Sequence, residues 1–215
     1  MPTPAEPSRI HRWLGIIVPR VFQGVVNGRA PQPGWLPRRW VTVVSGDVDP
    51  DAGVGAVWLV WRPGTAEAET HTALMELCGA EWRYTGGGGG SDGTLPAGRS
   101  AVGGPGQIGM IEIGGGAGAL SHADRLQHPH SIETAGWVGS HELQVAAEVD
   151  HLLVGKRRIE VPAHGSLIVV WKSPSTGRGG TRPLIVAVGR DGSELSRIGP
   201  HDSLDSCTWA ELRDQ

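Results

Sequence analysis

Hydrophobic residues in this chain fall in short runs rich in valine, isoleucine and tryptophan, each cut by glycine, proline or aspartate. Such punctuation marks β-strands rather than helices. It predicts twelve strands: Ile16–Val26, Trp40–Ser45, Gly55–Arg62, His71–Leu77, Glu81–Thr85, Gln107–Ile113, Glu142–Val149, Leu152–Val154, Arg157–Val161, Ser166–Lys172, Pro183–Gly189 and Glu194–Ile198. Between Ile16 and Val26 the apolar residues alternate, as a strand seeking a sheet partner would. Hairpin chemistry joins many of these runs. Asp191-Gly192 offers two residues that tolerate positive φ, and Gly155-Lys156 places glycine first, as a type II′ turn requires. Asp49-Pro50-Asp51-Ala52-Gly53 and Cys78-Gly79-Ala80 read as two further hairpin turns.

The expected fold is therefore all-β, an antiparallel sandwich of immunoglobulin-like or jelly-roll type built from hairpins. A single helix is expected, C-terminal, from Ser206 to Arg213, docking through Trp209 and Leu212. Residues 1–9 read as a disordered leader and 10–215 as one domain. Five consecutive glycines, Gly86–Gly90, open a segment expected to be a mobile loop over residues 86–106, with Arg99 as its tryptic site.

Composition sharpens this picture. With 34 glycines and 16 prolines among 215 residues, little chain remains for long helices. Net charge is −3 but unevenly spread: residues 1–45 carry six arginines against one acid, and residues 46–150 carry fourteen acids against four arginines. The N-terminal segment is thus expected to pack against the acidic middle of its own fold, and no global basic field points to nucleic acid. Seventeen arginines against two lysines match the codon bias of a GC-rich bacterial genome. Cys78 and Cys207 form no metal-ligand spacing, the opening residues are not expected to be a signal peptide, and no run reaches the roughly 18 apolar residues a bilayer span needs. A cytoplasmic protein without a membrane partner is expected.

Two constellations carry candidate chemistry. His122 and Asp124 are followed by His128-Pro129-His130 and Glu133; histidines at i, i+2 on extended chain can share one divalent transition metal, with Glu133 as a carboxylate ligand. This stretch resembles the first metal motif of cupins, G-x5-H-x-H-x3,4-E-x6-G, but His122 replaces its first glycine and Glu133 comes one residue early. The resemblance implies a metal-dependent enzyme or sensor. A polar surface loop without metal is the simpler expectation. The Asp47–Gly53 acids reproduce neither the glycine nor the twelfth-position glutamate of a calcium loop, and a hairpin explains them.

Nine tryptophans stand beside one phenylalanine and one tyrosine. Trp58 and Trp61 should face opposite sides of their strand. Trp13, Trp35 and Trp40 lie near Arg12, Arg38 and Arg39, an aromatic and basic mixture suited to stacking sugars, bases or a partner's side chains, and Trp35, Arg38, Arg39, Trp40 and Trp61 are the candidate binding surface. Large indoles filling a glycine-rich core are the alternative use of so much tryptophan.

Arg158 through Trp171, with its Pro162–Gly165 turn between two strands, is similar to a pattern in immunoglobulin-like accessory domains, as is the hairpin from Leu184 to Ile198. The resemblance implies a sandwich and transfers no site. The function expected is a non-enzymatic binding module for a protein, small-molecule or carbohydrate partner, without a resident cofactor. The cupin-like metal reading stands as its alternative.

Overall fold

A computed structural model describes residues 9–90, 93, 98–127, 135–174 and 181–215. The expected strand Ile16–Val26 is instead the body of a helix, α1 (Arg9–Val26). Ile17, Val18, Val21 and Phe22 recur at helical spacing and are buried against a sheet face made by Val41, Val43, Val57, Leu59, Ala73 and Met75. The same residues alternate well enough to pass for a strand. The helix wins because an apolar sheet face needs a broad cover, and two helical turns lay four side chains on it. Pro19 points to solvent, where its missing donor does least harm. A Cβ at Gly55 would overlap the Phe22 ring and one at Gly46 would stand 2.7 Å from Val25, so bare backbone is what lets α1 approach.

Beneath α1 lies an antiparallel meander, β1 (Val41–Asp49), β2 (Val54–Trp61), β3 (Glu69–Cys78) and β4 (Glu81–Gly90). Side chains alternate on β2 as expected: Leu59 and Trp61 face α1, whereas Ala56 and Trp58 face a second sheet. That middle sheet contains β5 (Ile111–Leu120), β6 (Trp137–Val145) and β9 (Ser166–Ser173), with the short α2 (His122–Gln127) between β5 and β6. A third sheet, in the order β11-β10-β7-β8, comprises β7 (Val149–Val154), β8 (Arg157–Glu160), β10 (Ile185–Gly189) and β11 (Glu194–Ile198). Strand β9 is apolar on both faces because it is covered twice. Ile168 and Val170 pack toward the first sheet, and Leu167 and Val169 toward the third. The expected antiparallel sandwich is thus present as three stacked sheets with a helix outside. The Pro162–Gly165 turn, with Gly165 at φ 77°, carries the chain from the third sheet back to the middle one.

The glycine run is not a loop. Gly86–Gly90 pair with Leu74–Thr70 across the β3–β4 ladder. A Cβ at Gly86 would stand 2.7 Å from that of Ala119, so the glycines let the first and middle sheets close. Each still costs roughly 0.5–1 kcal/mol in backbone entropy. Tryptophan offsets the missing side chains: Trp137 covers Gly118 and Trp171 covers Gly139 in the middle sheet. Residues 91, 92 and 94–97 lie outside the described set. Beyond them Arg99 donates to the carbonyls of Ala146 and Val149, and the Ala147 amide to Ser100, so this half of the expected loop is tied down.

The first and middle sheets also meet at β1 and β9, where no backbone ladder joins them. A side chain does so instead. Arg157, from β8, donates through Nη1 to both Asp47 oxygens at 2.8 Å and through Nη2 to the Val170 carbonyl at 2.6 Å. The Val170 amide donates to Asp47 at 2.8 Å. One buried ion pair thereby stitches three sheets.

Two smaller expectations fail instructively. In the β10–β11 turn only Gly192 takes positive φ, at 82°, and its amide donates to Gly189, the type I turn plus bulge rather than a two-residue turn. Helix α3 (Ser206–Arg213) forms as expected but docks differently. Trp209 and Leu212 are exposed, and the helix is held by buried Asp205, which accepts from the Cys207 and Thr208 amides and from Ser196. No helix among the described residues is long and apolar enough to cross a membrane.

Candidate functional site

Three tryptophans meet at the end of the β1–β2 hairpin remote from its turn. Trp13 projects from α1, Trp40 from the turn entering β1, and Trp61 from the last position of β2. Each is placed by local structure. Burial of Ile17 and Phe22 fixes the rotation of α1, and Trp13, four residues before Ile17, lies one turn earlier on that same face, half exposed where it meets Trp61. The Trp40 amide donates to the Pro37 carbonyl, closing a tight turn, and the Trp40 carbonyl accepts from the Arg62 amide at 2.8 Å. Trp61 lies opposite Val41 in the ladder. The Trp13 and Trp61 ring centres are 6.4 Å apart with planes inclined at 48°, forming a corner rather than a stack.

The cleft so formed has a volume of about 650 Å³, within the range of about 300–1,000 Å³ usual for ligand sites. Its polar rim is built by residues 62–69. Arg62 sits at φ 48°, the non-glycine residue with positive φ among those described, and its carbonyl is held by the Thr65 hydroxyl at 2.9 Å. Such a conformation costs on the order of 1–3 kcal/mol and persists where surrounding structure imposes it. Arg62 pairs with Glu67, and Glu69 lies 3.3 Å from His71. Arg39 completes the rim and forms no ion pair among the described residues. Trp13 and Trp40 remain about half exposed, at 47% and 50%. Indoles are ordinarily buried for most of their surface, so two half-exposed ones facing a common cleft are an available apolar surface.

Of the five residues expected to form a binding surface, the structure brings Arg39, Trp40 and Trp61 together. Trp35 is exposed but lies off the cleft. Arg38 does not line the cleft; its charge adds to burial in lowering the pKa of His164. Arg62, Thr65, Glu67 and Glu69 carried no sequence signal, and Trp13, grouped in sequence with Trp35 and Trp40, was not placed against Trp61. Trp13 becomes legible as a partner of Trp61 only when α1 is read as a helix.

The metal constellation divides. His128, His130 and Glu133 lie outside the described residues. Asp124 is engaged by the Lys172 ammonium at 2.7 Å and by the Gly136 amide at 2.7 Å. Burial pushes its carboxyl up, but Lys172, Gly136 and Ser121 together hold it below the usual carboxylate value. His122 contributes its backbone amide to Glu76, a carboxylate 1% exposed that also accepts from Ser121, Ala123 and Lys172. Glu76 and Lys172 thus pin α2 to β3 and β9. Among the described residues no group of three or more His, Cys, Asp or Glu side chains is gathered to hold a metal.

Comparison with protein-family models, with curated proteins and with solved structures returned no match. Fold and cleft define the class alone: an antiparallel β-sandwich carrying an aromatic surface cleft.

Proposed function

We propose that the protein is a non-enzymatic binding module whose ligand is a carbohydrate held in the Trp13–Trp40–Trp61 cleft. The carrying observation is the convergence of three indoles from three separate elements on one solvent-open cleft. A sugar ring presents apolar C–H faces and a belt of hydroxyls. Indole planes suit the faces, and the paired charges Arg62 and Glu67, with Glu69, Thr65 and Arg39, offer donors and acceptors for the belt. Near-balanced charge favours a neutral saccharide over a strongly charged partner. The two free, part-buried thiols of Cys78 and Cys207 fit a reducing compartment, and the cytoplasm is the proposed location.

Titration of neutral oligosaccharides followed by intrinsic tryptophan fluorescence tests this reading. A saturable change weakened at least about tenfold by Trp40→Ala is expected, since truncating an aromatic hot spot costs about 2 kcal/mol or more. Binding of the same strength to Trp40→Ala and Trp61→Ala would overturn it.

A further inference from the structure

At the opposite end of the β1–β2 hairpin, about 26 Å away along eight residues of strand, a second cleft of about 680 Å³ opens where the three sheets meet. Its walls are the β1–β2 turn, the β7–β8 turn and the end of β9. Four cations line it, and their circumstances differ. Arg157 is matched by Asp47 and Asp49, and Lys172 by Glu76 and Asp124. Lys156 sits exposed on its turn across from Asp51.

Arg182 is the exception. It is 8% exposed, yet forms no ion pair among the described residues. Its Nε donates to the Gly199 carbonyl at 2.9 Å and its Nη1 to His141 Nε2 at 3.0 Å. Neither partner is an anion. His141 must be neutral to accept that bond, and burial with the Arg182 charge lowers its pKa to about 4. Asp202, whose field reaches Arg182, is turned to the Gly199 amide. A buried cation whose direct partners are all neutral carries a large desolvation cost, which the field of Asp202 offsets only in part. Trp171, whose ring centre lies 4.8 Å from that of His141 with planes inclined at 46°, adds a buried indole N–H without an acceptor on the same wall. A cation without an ion-pair partner and an unpaired indole N–H, side by side at a cleft of ligand size, call for an acceptor that carries charge.

We propose that this cleft binds the oxyanion group, carboxylate or phosphoryl, of a small metabolite, with the Arg182 guanidinium as its principal contact and Lys156 at the rim. The guanidinium fork suits either planar or tetrahedral oxyanions, and the cleft holds more than the anionic group alone. This site is independent of the tryptophan cleft.

Sulfate is the probe, because its charge is constant over the relevant pH range. At fixed ionic strength, replacing chloride by sulfate should move the Arg182 Nε–H and His141 ring resonances saturably. The His141 pKa should rise above about 4 as the dianion offsets the Arg182 field. Arg182→Gln should weaken sulfate binding about tenfold or more, the scale of one charge-assisted hydrogen bond. Citrate and inorganic phosphate, titrated separately, assign the preferred group, and tight binding of either supports the site. Resonances that respond to sulfate no more than to chloride in the wild type would overturn it, whether or not the variant folds. So would a folded Arg182→Gln that binds sulfate as the wild type does.

Discussion

Arg157→Ala removes the side chain that joins the first and middle sheets where they share no ladder. Asp47, with only about a tenth of its side chain exposed, would lose both Nη1 contacts at 2.8 Å and keep the Val170 amide. The carbonyls of Val48 and Val170 would lose their donors as well. Breaking a buried pair from one side costs about 3–5 kcal/mol, which for a chain of this size lowers Tm by about 6–20 °C. The loss carries a pH signature. Burial already raises the Asp47 pKa above its ordinary 3.8, outweighing Arg157 and the Val170 amide. A carboxyl with a raised folded pKa holds its proton better folded than unfolded, so its contribution to stability falls as pH rises through that interval. Without Arg157 the folded pKa climbs further. The deficit of Arg157→Ala should therefore be greatest at neutral pH and shrink on acidification. Urea unfolding of wild type, Arg157→Ala, Asp47→Ala and the double variant measures it, and the double should cost clearly less than the sum of the singles. Additive losses, or a single-variant loss below about 1 kcal/mol, would refute the stitch.

Other outcomes follow from the same structure. The His141 pKa is depressed from 6.5 to about 4 by burial and Arg182, so the folded state favours the neutral ring; stability from this group is complete above about pH 6.5 and lost as pH falls through 4. His141→Gln should flatten that limb in unfolding curves taken between those values. Gly116→Ala, whose Cβ would collide with the Ser140 carbonyl, should cost about 1–3 kcal/mol. Gly98→Ala meets nothing within 4 Å and should stay within about 0.5 kcal/mol in the same denaturant assay. Deleting residues 1–8 should leave the melt nearly unchanged, whereas deleting 1–27 removes Ile17, Val18, Val21 and Phe22 from the core and should abolish cooperative unfolding.

Strand positions were legible wherever one period dominated. From Val41 to Trp61 and from Ser166 to Ile198, β-branched runs and left-handed glycines left a single reading. Two regions misled for identifiable reasons. Ile16–Val26 satisfies both the two-residue and the helical period, and only the presence of a bare apolar sheet face decides between them. Gly86–Gly90 has no side-chain pattern at all; its pairing is dictated by Ala117 and Ala119 across the interface, more than twenty-five residues away. Half of the candidate site could be read because Arg39 and Trp40 are adjacent in sequence. The rest depended on α1 bringing Trp13 to Trp61. Similarly, the unmatched charge of Arg182 is a property of what surrounds it, and no spacing announces that.

The nine indole N–H resonances allow the most direct measurement. Assigned by single Trp→Phe variants and followed by NMR during titration with a bound oligosaccharide, they report which tryptophans meet the ligand. Shifts confined to Trp13, Trp40 and Trp61, with Trp58, Trp137 and Trp171 unmoved, are the predicted result. Saturable shifts at other indoles while these three stay still would contradict a ligand site in the cleft.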